Sequence, residues 1–184
     1  IFMFMLPLEN HWVRLDPLST SHTDELWEVV KDLDIYKYSP NDLSTKDQLA
    51  AYIALAVANE AAGKDIPFAI FNKLSQKYVG STRFGYIDLY NKTLHIGWTW
   101  LAKEVQGTGL NSALKHLMLS HAFEVMKVRK VIFRVDALNI RSRKAVEKLG
   151  ATLEGILKED VFVAQKRIRD TCCYAIFSRD YSSK

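Results

Sequence analysis

Gln106-Gly107-Thr108-Gly109-Leu110-Asn111 is the stretch of this 184-residue chain whose residue types and spacing could do chemistry. Glycines at 107 and 109 let the backbone turn tightly and aim successive N–H groups the same way. The next segment reads as a helix, so its unpaired first amides and the positive end of its dipole add to the same place. Together they suit an anion, most naturally a pyrophosphate. Two glycines alone are equally compatible with a plain strand-to-helix turn. A Walker loop is excluded, because no G-x-x-x-x-G-K-[ST] occurs. A dinucleotide fingerprint fits poorly. The third glycine is missing, and the loop follows several antiparallel strands rather than opening a first βαβ unit.

The elements around this loop follow from periodicity. His11 to Leu15 reads as a short strand. Ser21 and Asp24 mark a helix start, with Leu26, Trp27, Val30 and Leu33 at helical spacing. Ser44 and Asp47 repeat the signal before a stripe of Leu49, Tyr52, Ile53, Ala56 and Val57, which Gly63 ends. Three antiparallel strands are then expected, over 66–71, 78–87 and 93–101, the last two joined near Asn91-Lys92. The loop leads into a helix with Leu114, Leu117, Met118, Ala122 and Val125 on one face. A strand over 131–135 comes next. Strand, helix, strand requires a parallel pair with a right-handed crossover. A helix over 142–149, stopped at Gly150, and strands over 152–163 and 168–177 complete the chain. The fold class is therefore α/β, a single domain over 1–184 with a mixed sheet and helices on both faces.

Composition sets outer bounds. The chain is 48% hydrophobic and 25% charged, ordinary for a globular domain. No run approaches the roughly 18 apolar residues of a membrane span. Ile1 to Leu8 is apolar but short for a signal sequence, and residues 1–10 read as an extra N-terminal segment, either a first strand or a partner contact. The net charge of +4 weakly favours anionic ligands. One basic cluster stands out, Arg141, Arg143, Lys144 and Lys148, without a nucleic-acid signature beside it. Cys172 and Cys173 are adjacent, so in a strand they point to opposite faces and suit a core thiol and an incidental one. Without a disulfide framework, a reducing, cytoplasmic setting is expected.

Spaced motifs then carry a resemblance. Gln106-x-x-Gly109-x-Asn111 resembles the pyrophosphate motif of the GNAT N-acetyltransferases. Asn139-Ile-Arg-Ser142-Arg-Lys-Ala-Val-Glu-Lys-Leu-Gly150 resembles a downstream segment of the same family. Leu153-Glu154-Gly155-Ile156-Leu157 with Arg169-Asp170 resembles the RimJ/RimL-like branch. The resemblance implies two neighbouring parallel strands that splay apart, with acetyl-CoA as cosubstrate between them. It implies backbone pairing of Thr99, Trp100 and Leu101 with pantetheine. Gln106, Gly107, Thr108, Gly109, Leu110, Asn111 and Ser112 would form the pyrophosphate site, with Asn139 on pantetheine and Ser142 near the thioester. Many members carry a tyrosine seven residues after the equivalent of Asn139, as acid for the leaving thiolate. Here that position is Val146, which has no proton to give. The side chain of Asn111, where the family usually has a small residue, is expected to cap the helix.

The implied activity is transfer of acetyl to a primary amine, a protein N-terminus or a small molecule, in a ternary complex. Ser142, beside Asn139, is the candidate to assist the sulfur. Its plain alternative is an N-terminal helix residue bonding backbone, and that of Asn139 is a helix cap. Asp136, Glu154, Glu159 and Asp170 are candidate proton acceptors that spacing does not rank. Tyr36 and Tyr38 are candidate walls of an acceptor groove. Trp98 and Trp100 share strand parity, hence one face, and core packing is favoured for them. His95 reads as structural. His116 and His121 are five apart rather than four, so no zinc site and no metal is expected. The rival function is a non-catalytic CoA-binding or regulatory module. An RNA- or ribosome-binding adaptor rests on charge alone. A homodimer is compatible with the sequence, and neither membrane nor nucleic acid is an expected partner.

Overall fold

The computed structural model describes residues 8–181, and the apolar start of the chain lies mostly outside them. Eight strands form one sheet: β1 (Leu8–Glu9), β2 (Val13–Pro17), β3 (Ile66–Asn72), β4 (Lys77–Asp88), β5 (Thr93–Leu101), β6 (Lys130–Asp136), β7 (Thr152–Phe162) and β8 (Ile168–Phe177). Their order is β1-β2-β3-β4-β5-β6-β8-β7. Every neighbouring pair is antiparallel except β5 with β6. The helices are α1 (Thr23–Val30), α2 (Lys46–Ala61), α3 (Leu110–Ser120) and α4 (Ile140–Lys148).

Two apolar cores lie on opposite faces of the sheet. One gathers Leu15, Ile70, Phe84, Leu94 and Ile96 against Leu114 and Met118 of α3 and Val146 of α4. The other gathers Ala69 and Trp100 against Leu26 and Val30 of α1 and Leu49 and Ile53 of α2. Alternate residues of β2 and β3 feed one face only, as the strand period of two requires.

Local differences from the sequence expectation have local causes. The strand expected over 11–15 is β2 and begins at Val13, because the Asn10 side chain accepts the amides of Trp12 and Val13 and folds that stretch into a turn after β1. The first helix begins at Thr23, behind a 3-10 turn whose cap is Ser19, not Ser21. The second is capped by Thr45 rather than Ser44: Thr45 Oγ1 accepts from the Gln48 amide, and Gln48 Oε1 accepts the Thr45 amide. Val125 leaves the expected stripe and is 50% exposed. His121–Val125 is a π turn, closed by the Met126 amide on the His121 carbonyl, and its extra residue rotates Val125 outward. Cys172 is buried and Cys173 half-buried, as alternation predicted.

Candidate active site

The parallel ladder between β5 and β6 is short. It holds only at Thr93 with Lys130, Leu94 with Val131 and His95 with Ile132. Beyond His95 each strand continues, β5 to Leu101 and β6 to Asp136, without pairing to the other. Their outer edges stay bonded to β4 and β8. Two strand edges therefore face a slot, and such edges seek an extended chain with its own amides.

A bulge shapes this slot. Ser81 pairs with Trp100 and Arg83 with Gly97, so Trp98 and Thr99 together face Thr82. Trp98 takes the left-handed backbone, with φ of 51°. The extra residue inverts the strand's parity. Ile96 packs on the α3 side, whereas Trp100 packs on the α1–α2 side. Trp98 joins Trp100 there, its ring lying over Gly85 and against the Arg83 guanidinium. The two tryptophans share a face, as their parity predicted, with Thr99 between them on the other side; the bulge puts both on the face opposite Ile96. On the α3 side Thr99 Oγ1 lies 2.7 Å from Thr82 Oγ1 and accepts from Lys115 Nζ at 2.6 Å. Burial alone pulls the Lys115 ammonium down to about 7. Burial, with Arg134 and Lys130 beside it, holds His95 down at about 4, so its ring is neutral at pH 7.

The slot ends at the glycine loop. Gly107 and Gly109 both have positive φ, 82° and 96°, and a Cβ on either would meet open space. Among the described residues, the amides of Gly107, Thr108, Gly109, Asn111 and Ser112 reach no acceptor in the chain. The first α3 amide with a main-chain partner is that of Ala113, on the Gly109 carbonyl. Gln106 braces the loop: its Nε2 donates to the Leu101 carbonyl at 2.8 Å, and its Oε1 accepts from Arg141 at 2.7 Å. Arg141, which the sequence offered only as part of a basic cluster, thus sets a fixed positive charge beside the cradle. The residues fit a pyrophosphate: open space, unpaired amides, a helix N-terminus and a nearby guanidinium.

Residues 13–152 match the acetyltransferase (GNAT) domain family. The chain belongs to the GNAT acetyltransferase family. It is 29% identical over 96 residues to the ribosomal-protein-serine acetyltransferase of Escherichia coli, covering 52% of each chain. It is 24% identical to the uncharacterized N-acetyltransferase p20 of Bacillus licheniformis over 97% of this chain and 99% of that one. The chain thus spans about half the length of some curated relatives it matches and nearly all of another. The fold also matches the microcin C7 self-immunity acetyltransferase MccE, solved with acetyl-CoA and AMP. That match has a TM-score of 0.81 at 20% identity, over 94% of this chain and 98% of that one.

Other expected residues of this GNAT domain are distributed unevenly about the slot. Asn139 is the N-cap of α4, its Oδ1 accepting the Ser142 amide at 3.1 Å. The Ser142 hydroxyl has no bond to the chain among the described residues, and the residue is half-buried. Val146 is buried in the α3-side core. Asn111 does not cap α3. Gly109 occupies the N-cap position without a side-chain bond, and Asn111 Oδ1 is buried without a partner.

The candidate proton acceptors are mostly committed elsewhere. Asp136 is 2% exposed and holds Arg167 and the Leu138 amide. Glu154 pairs with Lys130, and Asp170 with Lys158 and the Glu159 amide. The lysine bond first, then the Glu159 amide, holds the Asp170 carboxyl below its usual range. Glu159 is exposed. Tyr38 is 38% exposed and gives its carbonyl to Arg169. Tyr36 lies in the 3-10 turn Ile35–Lys37, and its side chain is outside the described residues. His121 is buried and stacks on Phe84. Among the described residues no group of His, Cys, Asp and Glu could hold a metal ion, and no helix is long and apolar enough to cross a membrane.

Proposed function

We propose that this chain transfers acetyl from acetyl-CoA to a primary amine, either a protein N-terminus or a small molecule, in a ternary complex. The parting of β5 from β6, leading to a loop of unpaired amides, carries this reading. Gly107 to Ser112 would hold the pyrophosphate, and the edge at Thr99, Trp100 and Leu101 would pair with pantetheine, the Leu101 carbonyl being the one group there already held, by Gln106. Asn139 caps α4 through Oδ1, which leaves its Nδ2 to donate toward the same ligand.

In the reaction the amine nitrogen attacks the thioester carbonyl. The new C–N bond forms, the C–S bond breaks, the amine loses a proton and the sulfur gains one. The amine must be neutral. Deprotonating a lysine side chain at pH 7 costs about 4–5 kcal/mol, an α-amine only about 1 kcal/mol. An acceptor of low basicity therefore needs little help, which suits a site where Asp136, Glu154 and Asp170 are already paired. Neutral His95, where the strands part, adds no repelling charge. A backbone amide at the bulge can stabilise the oxyanion.

Ser142 would assist the sulfur, since Val146 cannot. Ser142→Ala is expected to lower turnover about tenfold with acetyl-CoA affinity little changed. Steady-state kinetics beside calorimetry checks this, and unaltered turnover removes Ser142 from the reaction. The reading as a whole is tested by a panel of amines and N-terminal peptides with acetyl-CoA, scored by thiol release. Tight acetyl-CoA binding with no thiol release across the panel would instead make this a non-catalytic CoA-binding module.

A further inference from the structure

A pocket of about 340 Å³ opens on the α1–α2 side of the sheet, lined by Tyr52 and Asn59 of α2, Asp65, Arg83 of β4 and Trp98 at the bulge, among others. Arg83 is 4% exposed. Its Nη1 donates to Asp65 Oδ2 at 3.1 Å, and Asp65 also accepts from Asn59. Its guanidinium lies between the rings of Tyr52 and Trp98, 4.9 Å from each centroid. Yet its Nε and Nη2 are buried without any partner. Those two N–H groups share one edge of the guanidinium and point in parallel, the fork that fits a carboxylate. The Tyr52 hydroxyl is buried beside both the Arg83 guanidinium and Trp100 Nε1, and neither Tyr52 nor Trp100 meets a partner at full hydrogen-bond geometry. Buried donors that find no acceptor in the chain destabilise a fold, so this cluster suits an acceptor group entering from the pocket.

The place of the cluster says which acceptor group. Arg83 pairs across the ladder with Gly97, and Gly97 lies on the part of β5 whose far edge faces the slot. Strands lie about 4.8 Å apart, so Arg83 stands roughly one to two strand spacings from where the thioester would lie. That is the span between an amine and an acidic group a few bonds away. A second ammonium, as in a polyamine, would meet a buried guanidinium. A doubly charged phosphate would sit against Asp65, which Arg83 already holds. A single negative charge matches the fork.

We infer that this pocket anchors the acetyl acceptor by a carboxylate held on the Arg83 fork, so that the acceptor is an amine bearing a nearby carboxylate. This rests on the acetyl-transfer reading. The carboxylate can belong to a free amino acid or to an acidic side chain beside a peptide N-terminus, and both supply the same chemistry.

The test compares acceptors that differ only in that group. One arm sets free amino acids against their amides. The other sets C-terminally amidated peptides with Asp at position two against the same peptides with Asn. Wild-type enzyme is expected to favour the carboxylate member at least 100-fold in kcat/KM in one arm, and that arm names the source. The double variant R83Q/D65N avoids stranding Asp65 alone, and it should erase the preference by raising KM for the carboxylate member. R83K with Asp65 intact keeps the charge without the fork, and it should retain less than a tenth of the preference. Tryptophan fluorescence reports binding directly, because Trp98 flanks Arg83. Equal handling of both members in both arms overturns the inference, as does a double variant that slows both members equally. Carboxylate-selective binding without thiol release would leave the pocket assigned and defeat the transferase reading instead.

Discussion

Replacing Gly109 by tryptophan is expected to weaken acetyl-CoA binding at least a hundredfold while the domain stays folded. A Cβ at Gly109 points into open space, so an indole there can grow outward and occupy the volume in front of the loop amides. The φ of 96° adds strain for any side chain, roughly 1–3 kcal/mol. A domain with about 5–15 kcal/mol of stability survives that with a lower melting temperature. Gly109→Ala carries the same strain without the bulk, so it should melt like the tryptophan variant yet lose far less affinity. Calorimetry with acetyl-CoA beside thermal melts separates the two effects. Unchanged affinity in Gly109→Trp overturns the cradle.

Lys115→Met is expected to stabilise the protein near neutral pH, by about 2–4 kcal/mol, because it removes a buried ammonium and conserves volume. Lys115 is 6% exposed, and its amine has one bond, to Thr99. The sign comes from linkage. In the unfolded chain a lysine titrates near 10.5, and here the fold lowers Lys115 to about 7. Between those values the unfolded chain binds more protons than the fold, so wild-type stability rises with pH across the window. Below it both states are protonated and the penalty is fully present. The methionine variant has no such slope and should be flat where wild type climbs. Denaturant melts from pH 6.5 to 9.5 measure both. A variant less stable than wild type at pH 7, or one with the same slope, shows that Lys115 is not buried as an isolated charge.

Much of the site was written in local patterns. Gly107 and Gly109 declare a turn by residue type alone, and the α3 amides follow from any helix beginning there. The parallel β5–β6 pair followed from strand, helix, strand. Burial of Cys172 beside half-buried Cys173 followed from alternation. Capping detail was nearly legible: Thr45 with Gln48 repeats the motif expected one residue earlier, and residue types alone suit either register. Val125 was out of reach, because a π turn is a choice between carbonyls that periodicity does not record.

The sequence by itself determined the order of elements, the glycine loop and its family, because each depends on residues close along the chain. Only the tertiary structure decided where the strands part, which face Trp100 takes, and that Arg83 is buried with its fork unfilled. Those depend on contacts between β4, β5, α2 and α3, whose residues are far apart in the chain, and on a single left-handed residue at Trp98. One inserted residue turns a strand over, and no pattern of residue types marks where that happens.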